Sequence, residues 1–200
     1  MDSAHRHRLA ATDDGAFAMR ELGAADVAEV QRFFERNPEY FFTVNGEAPK
    51  PDEAQHEFAD VPPAGMPYRQ MMLLGFFDRA GALVGVATIV ADFIVEHVWH
   101  VGLLIVATAL HGSGVAASLY ALLERWMIEQ GAQWLRLGVV QGSAKAERFW
   151  ERCGYVQVRE RGPVTMGKKS QLLRVMAKPL AGGTIAEYLA LVERDRPQTP

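Results

Sequence analysis

The amino-acid sequence predicts an α/β domain in which helices flank a mixed, mostly antiparallel sheet. Two patterns point to this class. Strand-like apolar runs follow one another in the middle of the chain, and two segments with helical spacing then alternate with further strand-like runs. A chain of 200 residues, 49% of them hydrophobic, is long enough to bury one sizeable core. We therefore expect a single domain at 16–180, between a flexible tail at 1–15 and a C-terminal extension with a short helix at 181–200.

The first part of the domain is predicted to contain one strand and one long helix. A short strand is expected at AFAMREL, and ADVAEVQRFFER spaces its apolar residues as a helix that ends at Asn37-Pro38. The segment that follows, to residue 67, is rich in turn-forming residues. We expect it to be mostly loop, with one short helix at 52–59.

The middle and the last third of the domain predict the sheet and two more helices. MMLLGFFD and ALVGVATIVADFIV are joined by Asp78-Arg79-Ala80-Gly81, which has the turn chemistry of a β-hairpin. The run VWHVGLLIVA leads into a helix from residue 113 that Gly131 can end. WLRLGVV is then expected to be a strand, SAKAERFWERCG a helix, and YVQVRER and QLLRVMAKP a final strand pair.

Charge and composition limit what the protein is expected to bind. A formal net charge of −3 gives no excess positive field to gather nucleic acid or an anionic membrane surface. Cys153 is the only cysteine, so no internal disulfide can form, and the start MDSAHRHR lacks the apolar core of a signal peptide. No apolar run reaches the roughly 18 residues typical of a membrane span. We expect a cytoplasmic protein that binds neither nucleic acid nor membrane.

A glycine-bearing turn, His111-Gly112-Ser113-Gly114, precedes the helix in the middle of the chain. A helix that begins here has N–H groups without intrahelical partners, and such an end binds anions. The dinucleotide fingerprint is excluded because Ala117 replaces its third glycine, and the phosphate-loop motif because no Gly-Lys-Ser/Thr follows. The turn also resembles an esterase oxyanion loop, but the chain has no Gly-x-Ser-x-Gly nucleophile. A phosphate cradle and a plain strand-to-helix bend remain open.

The segment 111–116 resembles motif A of the GNAT superfamily of acyl-CoA N-acyltransferases, in which a Gln/Arg-x-x-Gly-x-Gly/Ala turn follows a splayed strand. His111 departs from the first position of that motif. Further along, LRLGVVQGSAKAERFWERCGY is similar to the family's next strand and helix, with Phe149-Trp150 and Gly154-Tyr155 at the matching places. The resemblance implies the GNAT fold, with a sheet splayed in its middle, and acetyl-CoA as the co-substrate. It also implies that 16–180 is an N-acetyltransferase domain.

The resemblance further assigns residues to the binding of acetyl-CoA. In the family, the pantetheine arm pairs with the edge of the splayed strand, and the pyrophosphate lies on the amides of the glycine turn. The residues that this implies are Leu104, Ile105, Val106, His111, Gly112, Ser113, Gly114, Val115, Ala116, Ser143, Lys145, Phe149 and Trp150. Alternatives remain for some of them: Ser143 also suits a helix N-cap, Lys145 a solvated position, and Trp150 core packing with Phe149. Many relatives carry at the position of Trp150 a Tyr that protonates the leaving thiolate, which an indole N–H is unable to do.

Transfer to an amine also requires a group that removes a proton, since an alkyl ammonium has a pKa of about 10.4. In protein-acetylating branches of the family a catalytic Glu lies eleven residues before motif A, and the same count back from His111 reaches His100. A rim or core histidine is the alternative for His100. Glu96 is the second candidate, on the same face if the strand is regular. His97 and His100 would lie on opposite strand faces, so we expect no metal site.

The acceptor is expected to be a small-molecule or protein amine. In the family the amine enters beside the loop that joins the first two helices, here residues 40–60, where acidic side chains are offset by Lys50 alone. The expected function is acetyl transfer from acetyl-CoA to a primary amine by direct attack. A GNAT-fold module that binds acyl-CoA with weak or no turnover is the alternative. A further one is a purely structural homodimer formed through the terminal helix, which would show neither CoA binding nor turnover.

Overall fold

Eight strands and six α-helices make up the regular structure of residues 8–180 and 182–197, which a computed structural model describes. The strands are β1 Arg8–Ala11, β2 Phe17–Glu21, β3 Gln70–Asp78, β4 Leu83–Ala91, β5 Val98–Val106, β6 Trp134–Val140, β7 Val156–Met166 and β8 Lys169–Pro179. The helices are α1 Val27–Arg36, α2 Glu39–Val44, α3 Glu53–Ala59, α4 Val115–Glu129, α5 Ala144–Arg152 and α6 Ile185–Leu191. The predicted α/β class is confirmed.

The strands form one sheet in the order β1-β2-β3-β4-β5-β6-β8-β7. Every neighbouring pair is antiparallel except β5 and β6, which are parallel, so the sheet is mixed and mostly antiparallel as predicted. The predicted hairpin is β3-β4. In its turn the Asp78 carboxylate accepts hydrogen bonds from the N–H groups of Ala80 and Ala82, and Gly81 adopts a φ of +79°.

The sheet opens between β5 and β6. These strands pair only from Val98 and Trp134 to Val101 and Leu137, after which β5 stays with β4 while β6 stays with β8. The opening begins at a β-bulge, because the register of β5 against β4 leaves Gly102 as an extra residue. A bulge bends its strand and increases the local twist, which turns β5 away from β6. The expected splay in the middle of the sheet is confirmed.

Helices cover both faces of this sheet. On one face α4 is held by Leu119, Leu123 and Met127, whose side chains are fully buried. On the other face α1 packs through Phe33 and Phe34 in a separate apolar cluster. The hydrophobic effect thus fixes the sheet between two layers, since burial of each such side chain contributes about 1.5–3 kcal/mol. No helix among the described residues is both long and apolar enough to cross a bilayer.

Two N-terminal segments differ from the sequence prediction. Residues 8–11, expected to belong to a flexible tail at 1–15, form β1 and pair with β2, and the Arg125 guanidinium donates to the Ala11 carbonyl. Residues 1–7 of that expected tail lie outside the described residues. In the expected loop after Pro38, helix α2 forms because Pro38 sets the first turn and Phe41 is buried against α1.

The C-terminal segment, expected to be an extension outside the domain at 16–180, packs onto the sheet. Thr184 is the N-cap of helix α6: its hydroxyl accepts from the Glu187 N–H, while the Glu187 carboxylate accepts from the Thr184 N–H. Tyr188 and Val192 are fully buried in an apolar cluster with residues of β6 and β8. The core of the domain therefore includes residues beyond 180.

Candidate active site

The glycine turn before α4 presents unused backbone donors. Gly112 and Gly114 have φ values of +82° and +86°, in the left-handed region that favours glycine, and a Cβ on either would meet nothing within 4 Å. Within the part of the chain that is described, the N–H groups of Gly112, Gly114 and Ala116 donate no hydrogen bond. These amides lie at the start of a 15-residue helix, where its dipole is positive. The open space above the turn fits a phosphate group.

Two basic side chains border this turn. The Nε2 atom of His111 lies 3.0 Å from the carbonyl oxygen of Val106, and its Nδ1 atom lies 2.9 Å from the Nζ atom of Lys145. Both contacts are satisfied when Nε2–H donates to the carbonyl and Nδ1 accepts from the ammonium. Lys145 therefore brings its positive charge from the first turn of α5 to the glycine turn, and an anion bound there would meet that charge.

The free edge of β5 leads to the same place. Leu104, Ile105 and Val106 pair with β4 on one side and with no described strand on the other. The side chains of Ile105 and Val106 are buried, so this edge offers its backbone N–H and C=O groups rather than side chains. The predicted strand edge and the glycine turn therefore follow each other closely along the chain, with only residues 107–110 between them.

The remaining residues that the resemblance assigned to the cofactor have other contacts. Ser143 stands at the N-cap position of α5, but its hydroxyl caps no N–H group. Trp150 is buried, with its ring centroid 5.4 Å from that of Tyr120 and 5.3 Å from that of Tyr155, and Phe149 packs beside it. These contacts support the packing alternative for Trp150.

A cavity of about 350 Å³ lies on the α1 side of the opening. It lies among α2, α3, the loop after α3, strands β4 and β5, and the end of β7. Its lining includes Tyr40, Glu57, Thr88, His100, Gly102 and Met166. Gly102 is the bulge residue, so the cavity meets the open strand edge at the point where β5 leaves β6.

Glu57 is the carboxylate of this cavity that forms a hydrogen bond with the central sheet. It accepts a hydrogen bond from the hydroxyl of Thr88, which is 3% exposed, and no Lys, Arg or His among the described residues forms an ion pair with it. Burial raises the pKa of Glu57; the Thr88 hydrogen bond lowers it, and Asp60 and Glu53 raise it again. Glu57 is one of the acidic residues at 40–60, and its bond to Thr88 shows that it does not lie on a solvated helix face. One feature of the sequence could have indicated this: Glu57 comes three residues after Ala54, which is fully buried, so both lie on the same face of the helix.

His100 lines the same cavity, but it is held as a neutral ring. Its ring stacks on Phe93 with centroids 4.9 Å apart, and its Nδ1 atom lies 3.3 Å from the Nη1 atom of Arg136. Burial, and then the charge of Arg136, lower the pKa of His100 to about 3. With Nδ1 accepting from a guanidinium, the proton of the neutral ring is on Nε2. This geometry favours a hydrogen-bond donor over the proton acceptor expected from the sequence.

Arg136 is itself held by a buried ion pair that the sequence did not indicate. Its Nε and Nη2 atoms donate to the two carboxylate oxygens of Asp195 at 2.6 and 3.1 Å, and the Tyr188 hydroxyl donates to the same carboxylate at 2.6 Å. Arg136 and Asp195 are 6% and 2% exposed. The C-terminal segment therefore supports the arginine that faces His100.

Glu96 lies apart from the cavity. It is in the turn before β5, with 80% of its side chain exposed, and its carboxylate is 3.8 Å from the Nε2 atom of His97. The condition under which Glu96 would share the face of His100, a regular strand through both, is not met, because Asp92, Ile94 and His97 adopt positive φ values and the strand begins only at Val98. No three His, Cys, Asp or Glu side chains in the described ranges are grouped so as to hold a metal ion.

Comparisons with known proteins agree with this architecture. The sequence model of the acetyltransferase (GNAT) family matches residues 28–155. No curated protein matches the chain. An acetyltransferase from Thermus thermophilus is 18% identical with a TM-score of 0.64, over 82% of this chain and 97% of that one.

Two further solved structures have similar folds. Spermidine N-acetyltransferase from Vibrio cholerae, in complex with CoA and spermine, is 17% identical with a TM-score of 0.60, over 82% of this chain and 95% of that one. The ribosomal-protein-S18-alanine N-acetyltransferase from Escherichia coli is 15% identical with a TM-score of 0.59, over 84% and 97%. At these identities the likeness concerns the fold.

The family match covers more than half of the chain and includes the elements that form the site. Residues 28–155 contain the opened strand β5, the glycine turn, α4 and α5. The chain therefore belongs to the acetyltransferase (GNAT) family of enzymes.

Proposed function

We propose that this protein transfers an acetyl group from acetyl-CoA to a primary amine by direct attack of the amine. The observation that carries the proposal is the junction at Gly102, where a cavity lined by carboxylates meets a strand edge that leads to a glycine turn with free N–H groups. An acyl donor laid along the edge and an amine in the cavity would meet at this junction.

The donor side is supported by backbone groups and one basic side chain. The N–H groups of Gly112, Gly114 and Ala116 and the ammonium of Lys145 would hold the diphosphate, and the backbone of 104–106 would hold the pantetheine arm. When bound, acetyl-CoA supplies the activated acetyl thioester. A backbone N–H of 104–106 directed at its carbonyl oxygen would stabilise the negative charge that develops there.

The acceptor side is supported by charge and shape. Three carboxylates, those of Glu53, Glu57 and Asp60, line the cavity, while Tyr40 and Phe41 provide apolar walls. Such a cavity attracts a cationic amine and holds it against the donor, which gains from proximity. Two structural neighbours are named for amine acceptors, spermidine and an alanine of a ribosomal protein. We propose a small-molecule or protein amine, and retain as proposals a cytoplasmic location and a homodimer.

The test is turnover with purified protein. Release of free thiol from acetyl-CoA would be followed against putrescine, spermidine, benzylamine and a short peptide with a free N-terminus. Amine-dependent thiol release above the rate without amine is expected with at least one of them. Absence of release with every amine, at concentrations of acetyl-CoA that raise the melting temperature, would contradict the proposal.

The acyl-CoA-binding module is the second candidate, and one observation favours it. Trp150 replaces the residue that protonates the thiolate in many relatives, and the buried hydroxyls of Tyr120 and Tyr155 are bonded to each other at 3.1 Å. Calorimetric binding of CoA together with no acetyl loss in the same amine panel would support this candidate over the enzyme.

A further inference from the structure

We propose that Glu57 is the general base of the reaction, with Thr88 as its positioning residue, and that His100 does not take the proton. This inference rests on the proposed function. It concerns a side chain on α3 that reaches across the cavity to a central strand of the sheet.

The geometry places the Glu57 carboxylate beside the reacting junction. Its hydrogen-bond donor, Thr88, is on β4 and pairs with Leu103 of β5, directly after the bulge. A Cβ built on Gly102 would lie 3.7 Å from both the Cγ2 atom and the carbonyl oxygen of Thr88. In space, Thr88 is therefore the one residue that lies between Glu57 and the bulge residue Gly102. Gly102 is exposed and has no side chain that would keep an amine away.

The surroundings of Glu57 favour proton uptake. The titratable groups that face it are Glu53 and Asp60 from α3 and its following loop, Tyr40 from α2 and His100 from β5. Two of these are acids that repel its negative charge, Tyr40 is half-buried with a raised pKa, and His100 is neutral with a lowered pKa. A carboxylate whose pKa is raised by burial accepts a proton more readily than an exposed one.

The other candidate bases have competing contacts or lie away from the junction. The Nδ1 lone pair of His100 is directed at Arg136, and the Glu53 carboxylate accepts from the Lys50 N–H at 3.0 Å, which fixes it at the start of α3. Asp60 is exposed and follows the end of α3. Glu57 is the only carboxylate among these four groups that is half-buried in the cavity and bonded to the central sheet.

Every proton of the acetyl-transfer step is accounted for. The bound ammonium gives one proton to the Glu57 carboxylate, and the amine nitrogen then forms a bond to the acetyl carbon as the carbon–sulfur bond breaks. A second proton leaves the nitrogen and ends on the departing sulfur. Each turnover yields an amide and a thiol, and Glu57 releases one proton to water through the open side of the cavity.

The experiment measures the pH dependence of kcat/KM for three variants, using the amine of the panel with the highest turnover. Glu57→Gln is expected to lower kcat at pH 7 by at least about 100-fold. The wild-type rate should level off above the pKa of Glu57, whereas the variant rate should keep rising toward the amine pKa of about 10.4, because only the neutral amine then reacts. Glu129→Gln, the same change at an exposed position at the end of α4, is the matched control.

Thr88→Val keeps the Glu57 carboxylate and removes the hydroxyl that donates a hydrogen bond to it. The Thr88 hydrogen bond lowers the pKa of Glu57, so its loss should move the acid limb of the profile to higher pH. Every variant is first tested for a wild-type rise in melting temperature with acetyl-CoA, which shows that the fold and the donor site are intact. Should Glu57→Gln fail this test, Glu57→Asp and Thr88→Val decide the question.

The outcomes separate the two proposals. Amine-dependent turnover in the wild type, with Glu57→Gln within about fivefold of it or with an unchanged acid limb, overturns the base and leaves the acetyltransferase reaction standing. A rise in KM alone would assign Glu57 to acceptor binding and also overturns the base. Absence of turnover in the wild type overturns the proposed function and the base with it.

Discussion

Removal of the Asp195 carboxylate tests whether the C-terminal segment stabilises the active site. Asp195 is 2% exposed and forms two hydrogen bonds with Arg136, which is 6% exposed. Asp195→Ala would leave the guanidinium buried without its counter-charge and the Tyr188 hydroxyl without its acceptor. Breaking one partner of a buried ion pair destabilises a protein by about 3–5 kcal/mol. For a domain of this size the melting temperature should fall by about 6–20 °C.

The assay is denaturant or thermal unfolding followed by circular dichroism at pH 7. Glu193→Ala is the matched control, since its carboxylate pairs with Arg196 at 3.2 Å with side chains 76% and 48% exposed. Such a surface pair contributes about 0–1 kcal/mol. The double variant Arg136→Met and Asp195→Leu should recover much of the loss, because no charge remains buried. A loss below about 1 kcal/mol for Asp195→Ala, or a double variant less stable than the single one, would refute the reasoning.

Three further predictions concern the donor site and the pH dependence of stability. Gly114→Val places a β-branched residue at a φ of +86° above the glycine turn, so the Kd for CoA measured by calorimetry should rise at least about tenfold, and equal binding would argue against the cradle. Lys145→Gln should weaken CoA binding by about two- to fivefold and reduce its dependence on salt, whereas an unchanged salt dependence would place the lysine outside the site. The pKa of His100 is about 3 in the folded protein against about 6.5 unfolded, so unfolding gains a proton between these values and stability falls as the pH drops. From pH 7 to pH 5 this loss is about 2 kcal/mol. His100→Gln keeps an acceptor for Arg136 and should remove the loss from stabilities measured by urea unfolding, whereas an equal dependence on pH in both proteins would contradict the half-buried neutral ring.

The sequence predicts those parts of the fold that leave a local pattern. The β3-β4 hairpin follows from two apolar runs and the Asp78 turn, and α4 from apolar residues at helical spacing. The open edge of β5 was implied by the family resemblance, since periodicity carries no information on where two strands separate. Helix α2 was missed because six residues after Pro38 are too few to show a helical period.

The acceptor cavity was harder to predict because its contacts join distant parts of the chain. The hydrogen bond between Glu57 and Thr88 spans 31 positions, and that between Arg136 and Asp195 spans 59. Local spacing therefore does not distinguish Glu57 from the other acidic residues at 40–60, because its position in the cavity depends on how α3 packs against the sheet. Glu96 was a candidate only if the strand alternation of β5 reached back to it, and a turn with positive φ values precedes the strand instead.

The extra residue at Gly102 also reverses the side-chain alternation within a single strand. Trp99 and Val101 point toward the cluster that contains α4, and without the bulge the odd-numbered Leu103 and Ile105 would follow them; instead these two enter the cluster on the α1 side. Both halves of β5 therefore direct their apolar side chains into the core only if the number of residues in the strand is unchanged. Deletion of this one glycine would exchange the inward and outward sets of the second half, so the strand should tolerate many substitutions of side chain but no change of length.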